Sequence, residues 1–562
     1  MSARPEAAAL APEPPLGLRR RWRDVDKSAW VWLVAVALLL LLVVNPLLRL
    51  FVVSFQQPDG SFTVANYIAA YSRVRYLEAL GNSLVLGVSA GTLCLFFGVP
   101  LAWALSRSDM PGKGVVWVSI LGTFIIPPYL GAVGWILLAG PNAGWLNRAV
   151  VALTGAAKGP FNVYSMPGLV LVTACYSFPY VFMFTKSALD LVSSEMEDAA
   201  NILGAGTLRT MRSITLPLVL PALLALPGRF HVVTTQLWQF FEYPPKVGVA
   251  AAYAMPLLCV TVLLFWVQRR LTSRKGYIAL TGKGGERRPV RLGAWKWPLL
   301  GWCLFVCSLS FFMPMVVICQ AALAKAWGRG FALDNLTLAN LRFTLFENTL
   351  TRNATIHTFV YAGSAALIAV LLAMVVAYIV QREVVGRRVG GALSFLTMSP
   401  FVIPGIVLAI GFYAAYTHAP LLLYGTAWIL ILAFATRFLP IAYANSAASI
   451  RSIHPELEDA VRILGGTRLT AVRRVVLPLL KRSLAGAFIL VFIPGTRELS
   501  SAIFLYSINT QVLSVLLFDK SDEGNFEMLA SIGLVLVVIT VALILVGFRL
   551  LGRDFMLRRT AA

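Results

Sequence analysis

Two short acidic stretches are the part of this sequence whose residue types suggest a specific task. Residues 195–218 and 456–479 align without a gap, and 12 of their 24 positions are identical. Each stretch places three acids within its first four residues: Glu195, Glu197 and Asp198 in the first, and Glu456, Glu458 and Asp459 in the second. Carboxylates in a first helical turn suit the positive end of the helix dipole. The pattern therefore predicts two equivalent acid-headed helices.

The residues around the acids predict where these helices begin and end. Ser194 with Glu197 forms a capping box, and Pro455 suits a first helical position. Gly204 and Gly465 end the helices after about nine residues, or roughly 13 Å. A helix of that length cannot cross a bilayer. A single copy could be a solvated loop helix, but two gapless copies favour a pair of contacts with a partner protein.

The composition excludes a soluble protein. The chain has 562 residues, of which 58% are hydrophobic and 13% charged. Eleven apolar segments are long enough to cross a membrane at roughly 20 residues each. The net charge of +23 does not indicate nucleic-acid binding, because basic residues cluster between the apolar segments, as in cytoplasmic loops of membrane proteins.

Cysteines and histidines do not predict a metal site or a disulfide framework. All six cysteines fall within predicted spans, and the four histidines are far apart in the sequence. Cys303 and Cys307 share a helix face, for which packing is the simpler explanation. The expected metal set is therefore empty.

The chain repeats beyond the acidic stretches. AWALSR at 102–107 corresponds to AYIVQR at 377–382, and FIIPPYLGAVGW at 124–135 to FVIPGIVLAIGF at 401–412. Between the halves, residues 269–296 hold nine Lys or Arg and one acid, which predicts a cytoplasmic linker. Both halves then begin on one side, so the repeat is parallel. We predict an all-α polytopic membrane protein with two tandem six-helix halves.

The predicted organisation has four parts. A disordered cytoplasmic tail (1–28) precedes the first permease-like half (29–268), the basic linker (269–296) and the second half (297–562). The arginine run before Ala29 resembles a signal sequence, but the long apolar run after it indicates an uncleaved anchor. Both termini are expected in the cytoplasm, and the protein in the plasma membrane.

The acidic stretches resemble the EAA signature of bacterial ABC-importer permeases, a family of transport subunits. The first stretch has Asp198-Ala199-Ala200, then Gly204 and Leu216-Pro217, and the second keeps this spacing. Both stretches have Asp where the signature has Glu, and the second also departs from it at Val461 and Val475. The resemblance implies that these loops dock on ATPase subunits. The implied coupling residues are Glu195, Glu197, Asp198, Ala199, Ala200, Gly204, Glu456, Glu458, Asp459, Ala460, Val461 and Gly465.

The resemblance also implies partners and a class of cargo. The chain has no GxxxxGK[ST] motif, so it is not expected to hydrolyse ATP or to bind a cofactor. ATP and Mg²⁺ would be bound by a partner ATPase dimer, and a periplasmic binding protein would deliver the substrate. Fused two-half permeases of the ferric-iron type are the most similar. Thiamine, polyamine and phosphonate remain alternative substrates.

Candidate pathway residues lie where membrane segments are interrupted. Pro127-Pro128 and Pro404-Gly405 break corresponding segments, and Arg497-Glu498 are charges in an apolar context. Such breaks are tolerated where a helix lines a cavity or packs on protein, and intramembrane charges are often functional. Kinked packing helices, and a neutralised ion pair at the periplasmic membrane edge, are the structural alternatives.

The first half is shorter after its acidic stretch. Pro217 to Gln236 spans 19 positions, whereas Pro478 to the matching Gln511 spans 33. The apolar run Ile214–Leu226 has 13 residues and covers about 20 Å of a roughly 30 Å core. Residues 214–241 are therefore expected to cross irregularly, or else the chain is an inactive deletion variant. A secondary carrier is a further alternative, although acids within spans are nearly absent.

Overall fold

The computed structural model describes residues 29–57, 59–191, 237, 240, 241, 246–273 and 289–551. The regular elements among these residues are helices, and the longer ones are numbered here in chain order. They are α1 Trp30–Ser54, α2 Ala65–Tyr71, α3 Val74–Arg107, α4 Lys113–Ile125, α5 Pro128–Ala139, α6 Trp145–Thr154, α7 Met166–Leu191, α8 Val247–Ser273, α9 Gly293–Ala322, α10 Thr349–Gln381, α11 Arg387–Phe401, α12 Gly405–Tyr416, α13 Ala427–Arg451, α14 Glu456–Ile463, α15 Arg468–Thr496, α16 Leu513–Asp522 and α17 Phe526–Leu551.

The described helices confirm the predicted all-α membrane class. Eight of them are long and apolar enough to cross a membrane. Two bent helix pairs are further candidate spans, α4 with α5 at 104° and α11 with α12 at 109°, and are called the broken spans here. α8 adds a shorter apolar stretch, Val247–Leu263.

The two halves repeat element by element. α3 and α10 correspond, as do the two bent pairs and the helices α7 and α13. Even a local irregularity recurs: a π-helical turn precedes Pro46 in α1 and Pro314 in α9. A proline cannot donate to the carbonyl four residues earlier, and a widened turn accommodates it.

The first helix of each half packs against the other half. In α1, Pro46 lies against Gly411 of α12, where an added Cβ would come within 2.8 Å of the Pro46 carbonyl oxygen. In α9, Pro314 lies against Gly134 of α5, where a Cβ would come within 2.8 Å of the proline side chain. Each buried core accordingly mixes residues of both halves. The halves are interlocked and do not form separate bundles.

Polar contacts define the two ends of the molecule. Val290, near the end of the linker, donates its N–H to the carbonyl of Arg107 at the end of α3. We call this end the linker face. At the start of α3, the Tyr253 hydroxyl of α8 donates to the carbonyl of Tyr76. This second end is the opposite face.

The second acidic loop projects from the linker face. α1 ends at the opposite face, because Asn66 bonds to the Ser54 carbonyl and also packs against Gly248 at the start of α8. Near the start of α1, at the other end of the molecule, Trp32 stacks on Tyr378 of α10 with ring centroids 5.6 Å apart. The end of α10 and the second acidic loop therefore lie on the linker face.

The direction of α8 resolves part of the topology question raised by the shortened first half. α7 runs beside α3 and ends with it, since Arg107 donates to the carbonyl of Leu189 at 2.7 Å. α8 begins at the opposite face and runs towards the linker face, as a cytoplasmic linker requires. Leu191 therefore lies at the linker face, and Val247 lies at the opposite face. Most of the predicted irregular crossing at 214–241 lies outside the described residues.

This orientation predicts the accessibility of two exposed positions, Lys246 before α8 and Arg291 near the end of the linker. In a cysteine-free background, Lys246→Cys should react with a membrane-impermeant maleimide added to whole cells whose outer membrane has been permeabilised. Arg291→Cys should react only after the inner membrane is opened. The native cysteines must be removed because Cys259 is exposed. Labelling of Arg291→Cys in intact spheroplasts would contradict the orientation.

Candidate functional site: an anchored loop and two broken spans

The second acidic loop forms the short helix predicted for it. α14 covers Glu456–Ile463, with Glu456, Glu458 and Asp459 in its first turn. Gly465 follows the helix at φ +83°, a left-handed conformation that glycine adopts without strain. The eight-residue helix is too short to cross a bilayer. The first copy, with Glu195, Glu197, Asp198, Ala199, Ala200 and Gly204, lies outside the described residues.

The three acids of α14 are not equivalent. Glu456 and Asp459 are exposed, with side-chain accessibilities of 84% and 59%. Glu458 is buried and forms an ion pair with Arg382 at 2.7 Å. Its second carboxylate oxygen accepts from the Tyr378 hydroxyl at 2.6 Å. Glu458 therefore fixes α14 to the end of α10 and does not point towards a partner.

Arg382 also connects the loop to α13. Its second guanidinium nitrogen donates to the carbonyls of Ile453 at 2.8 Å and of Ile450 at 3.3 Å. Ile450 lies in the last turn of α13, whose final carbonyls have no partner within the helix. We call Arg382, Glu458 and Tyr378 the loop anchor. It joins the ends of two membrane helices to the acidic helix.

Sequence analysis did not identify Arg382 as a site residue, although the repeat places an arginine at the matching position of both halves. Arg382 ends AYIVQR and Arg107 ends the corresponding AWALSR. Arg107 is buried and donates to Leu189, which occupies the position in α7 that Ile450 occupies in α13. The same arginine-to-carbonyl contact thus precedes both acidic loops.

The outer surface of α14 combines negative charge with apolar side chains. Ile463 and Leu464 are 85% and 88% exposed, and Leu457 is 49% exposed. Ala460 is exposed as well, whereas Val461 is half-buried against Gly466. Exposed large aliphatic side chains at an aqueous surface, rimmed by acids, are typical of a protein contact. We call Glu456, Asp459, Ile463 and Leu464 the docking surface.

The candidate pathway residues lie where α15 ends, between the two broken spans. Pro127 and Pro128 separate α4 from α5, and Pro404 precedes Gly405 at the start of α12. Arg497 and Glu498 follow the last residue of α15. They do not simply neutralise each other, because each has other partners.

Arg497 reaches across to the first half. Its guanidinium donates to the carbonyl of Phe124 and, at 3.2 Å, to that of Ile126. In a continuous helix the Phe124 carbonyl would accept from residue 128, which is a proline without an N–H. Arg497 also lies over the Phe124 ring, 4.8 Å from its centroid. The arginine thus supplies the donors that the first break removes.

Glu498 is bonded within the second half. It pairs with Arg437 of α13 at 3.1 Å, and both side chains are less than one-tenth exposed. Its other oxygen accepts from the Ser501 N–H at 3.1 Å. The Arg437 guanidinium rests against Gly405, where an added Cβ would come within 2.5 Å of it. This buried pair therefore packs directly on the second break.

Comparison with known protein families decides the class. The family model described as "Binding-protein-dependent transport system inner membrane component" matches residues 87–228 and 369–553. The chain belongs to this family. It is the permease subunit of an ABC importer and a multi-pass inner-membrane protein. The two matched segments fall in the two halves of the repeat, and the second contains α14.

Curated relatives include permeases named for ferric transport and for phosphonate transport. The ferric transport system permease protein FbpB of Actinobacillus pleuropneumoniae is 25% identical, over 91% of this chain and 76% of the relative. A putative ferric transport system permease FbpB 1 of Haemophilus influenzae is 26% identical, over 85% and 78%. A putative 2-aminoethylphosphonate transport system permease PhnV of Salmonella paratyphi A is 27% identical, but matches only 42% of this chain.

Proposed function

We propose that this permease carries ferric iron, delivered by a periplasmic binding protein, and that a separate ATPase dimer drives it through the two acidic loops. The substrate assignment is supported by the extent of the match, because the relatives named for ferric transport align with both halves in one chain. The relative named for 2-aminoethylphosphonate matches less than half of the chain.

The ATPase contact is assigned to the docking surface of α14. Its two acids and two aliphatic side chains are exposed on the linker face, the side that the positive-inside bias assigns to the cytoplasm. By the repeat, Glu195 and Asp198 with Ile202 and Leu203 would form the matching surface of the first half. Two such surfaces suit the two subunits of an ATPase dimer.

The loop anchor explains how movement of the ATPase would reach the membrane. A flexible loop would absorb a displacement of α14, whereas Glu458 and Arg382 tie it to the ends of α10 and α13. The pair is largely buried, so breaking it leaves an uncompensated charge. α14 and these two helix ends should therefore move together. Such movement would alternate access to a central path between the halves.

In this proposal iron is a transient cargo handed over by the binding protein, and the chain holds no resident metal ion. Among the described residues there is no group of three or more His, Cys, Asp or Glu that could hold a metal ion. ATP and Mg²⁺ would remain on the ATPase, and both termini would lie in the cytoplasm.

Uptake in cells tests the substrate. A strain lacking the genomic copy of this gene, but retaining the ATPase and binding protein, would be complemented with the wild-type chain. Uptake of ⁵⁵Fe³⁺ should be restored, and excess unlabelled Fe³⁺ should compete while 2-aminoethylphosphonate, thiamine and spermidine should not. Competition by one of the organic solutes would reassign the substrate. Failure of the wild-type chain to restore ⁵⁵Fe³⁺ uptake would contradict the ferric assignment and would favour another substrate or the inactive deletion variant.

A further inference from the structure

The segment after α15 touches both broken spans. Arg497 bonds to the carbonyls of the first break, and the adjacent Glu498 holds Arg437 against the second. The residues joined by the first set of bonds are more than 370 positions apart in the sequence. One dipeptide therefore connects the two sites where the spans bend by more than 100°.

The arginine of this ion pair has no counterpart at the matching position of the first half. Tyr176 occupies the position in α7 that corresponds to Arg437 in α13, at the same offset as Pro179 and Pro440. The Tyr176 side chain packs against Gly131 of α5. The first half is also 14 residues shorter between its Leu-Pro and its matching glutamine (33 against 19). Arg497 of the second half instead occupies the first break.

We propose that Arg497 and Glu498 form an interlock through which the second half controls both broken spans during transport. Arg497 holds the first span in its bent form by bonding to the Phe124 carbonyl, which Pro128 leaves without a donor, and to the Ile126 carbonyl at the break. The Glu498–Arg437 pair holds the second span by packing on Gly405, where no larger residue leaves room. A shift of α15 would move both contacts at once. The two breaks would then open or close together, although only one half carries the charges.

Replacement of the charged pair by apolar side chains distinguishes an interlock from a purely structural ion pair, because the two should differ in their effect on transport. Buried ion pairs replaced by apolar side chains of similar volume often fold as well as the original or better. Arg437→Met with Glu498→Met should therefore preserve assembly. A structural pair would leave transport intact as well, whereas an interlock would not.

The experiment uses the complete complex of this chain, its ATPase and its binding protein in proteoliposomes. It rests on the proposed function, so ATP-driven ⁵⁵Fe³⁺ uptake is measured together with ATPase activity in the absence of the binding protein. Arg437→Met/Glu498→Met and Arg497→Met should each lower uptake by about 10-fold or more, within the usual range of coupling between sites. Their ATPase activity without binding protein should rise, because the interlock no longer holds the two broken spans in the resting state.

Arg352→Met is the matched control, because this arginine is exposed at the start of α10 and distant in sequence from both breaks. It should leave uptake and ATPase activity unchanged. Wild-type uptake by both Met variants would overturn the interlock. Failure of both variants to assemble would also overturn it, because the charges would then serve folding. If the wild-type complex does not import iron, the proposed substrate fails, and the ATPase activity of the variants still tests the interlock.

Discussion

Arg382→Glu should abolish coupling between the ATPase and transport in the second half. The substitution places a second carboxylate beside Glu458, which is buried and within 2.7 Å of the native guanidinium. Removing one partner of a buried pair costs about 3–5 kcal/mol, and a repulsive partner adds to this. We expect α14 to detach from the ends of α10 and α13, with ATP-driven uptake reduced about 100-fold or more.

The reciprocal exchange separates the ion pair from general damage. Arg382→Glu with Glu458→Arg restores opposite charges, although it loses the donors to Ile450 and Ile453. We expect the double variant to recover a substantial part of the uptake lost by either single variant. The measurement is uptake and ATPase activity in proteoliposomes at equal amounts of folded complex. Equal losses in the single and double variants would contradict a role for the pair itself.

The second large effect should come from the docking surface. Asp459→Lys combined with Ile463→Ser and Leu464→Ser reverses one exposed charge and removes two exposed aliphatic side chains. Residues at the centre of a protein contact commonly contribute 2 kcal/mol or more each, so affinity for the ATPase should fall by about 30-fold or more. Co-purification of the ATPase with tagged permease measures this loss.

The control for that variant is Ile508→Ser. Ile508 is 92% exposed but follows α15 near the opposite face, away from α14. It should retain the ATPase fully. The folded yield of the docking variant should equal that of wild type, because the substituted side chains have few contacts to lose. Undiminished ATPase binding by the docking variant would show that the contact lies elsewhere.

The sequence predicted elements whose causes are local. Pro455, the acidic first turn and Gly465 predicted the bounds of α14, because each acts within a few positions of the helix end. The prolines predicted where both bent spans break. Hydropathy and the repeat predicted the membrane class and the parallel halves. These features need no knowledge of the packed structure.

Long-range contacts were beyond the reach of the pattern. The predicted role of Glu458 in contacting a partner assumed that an acid in a polar loop is exposed, but its partner Arg382 lies 76 positions away. Arg497 and Glu498 were predicted as pathway residues, with mutual neutralisation as the alternative. Their actual partners, Phe124 and Arg437, are set by packing between distant helices. The packing of α1 and α9 against the opposite halves likewise depends on the whole fold.

ATP-driven uptake of ⁵⁵Fe³⁺ by proteoliposomes tests the central claim most directly. The vesicles would contain this chain with or without its ATPase, and the periplasmic binding protein would be added to the side that exposes the opposite face. The account predicts uptake only when the permease, the ATPase, ATP and the iron-loaded binding protein are all present. Uptake that persists without the ATPase, or that is absent when all four are present, would contradict it.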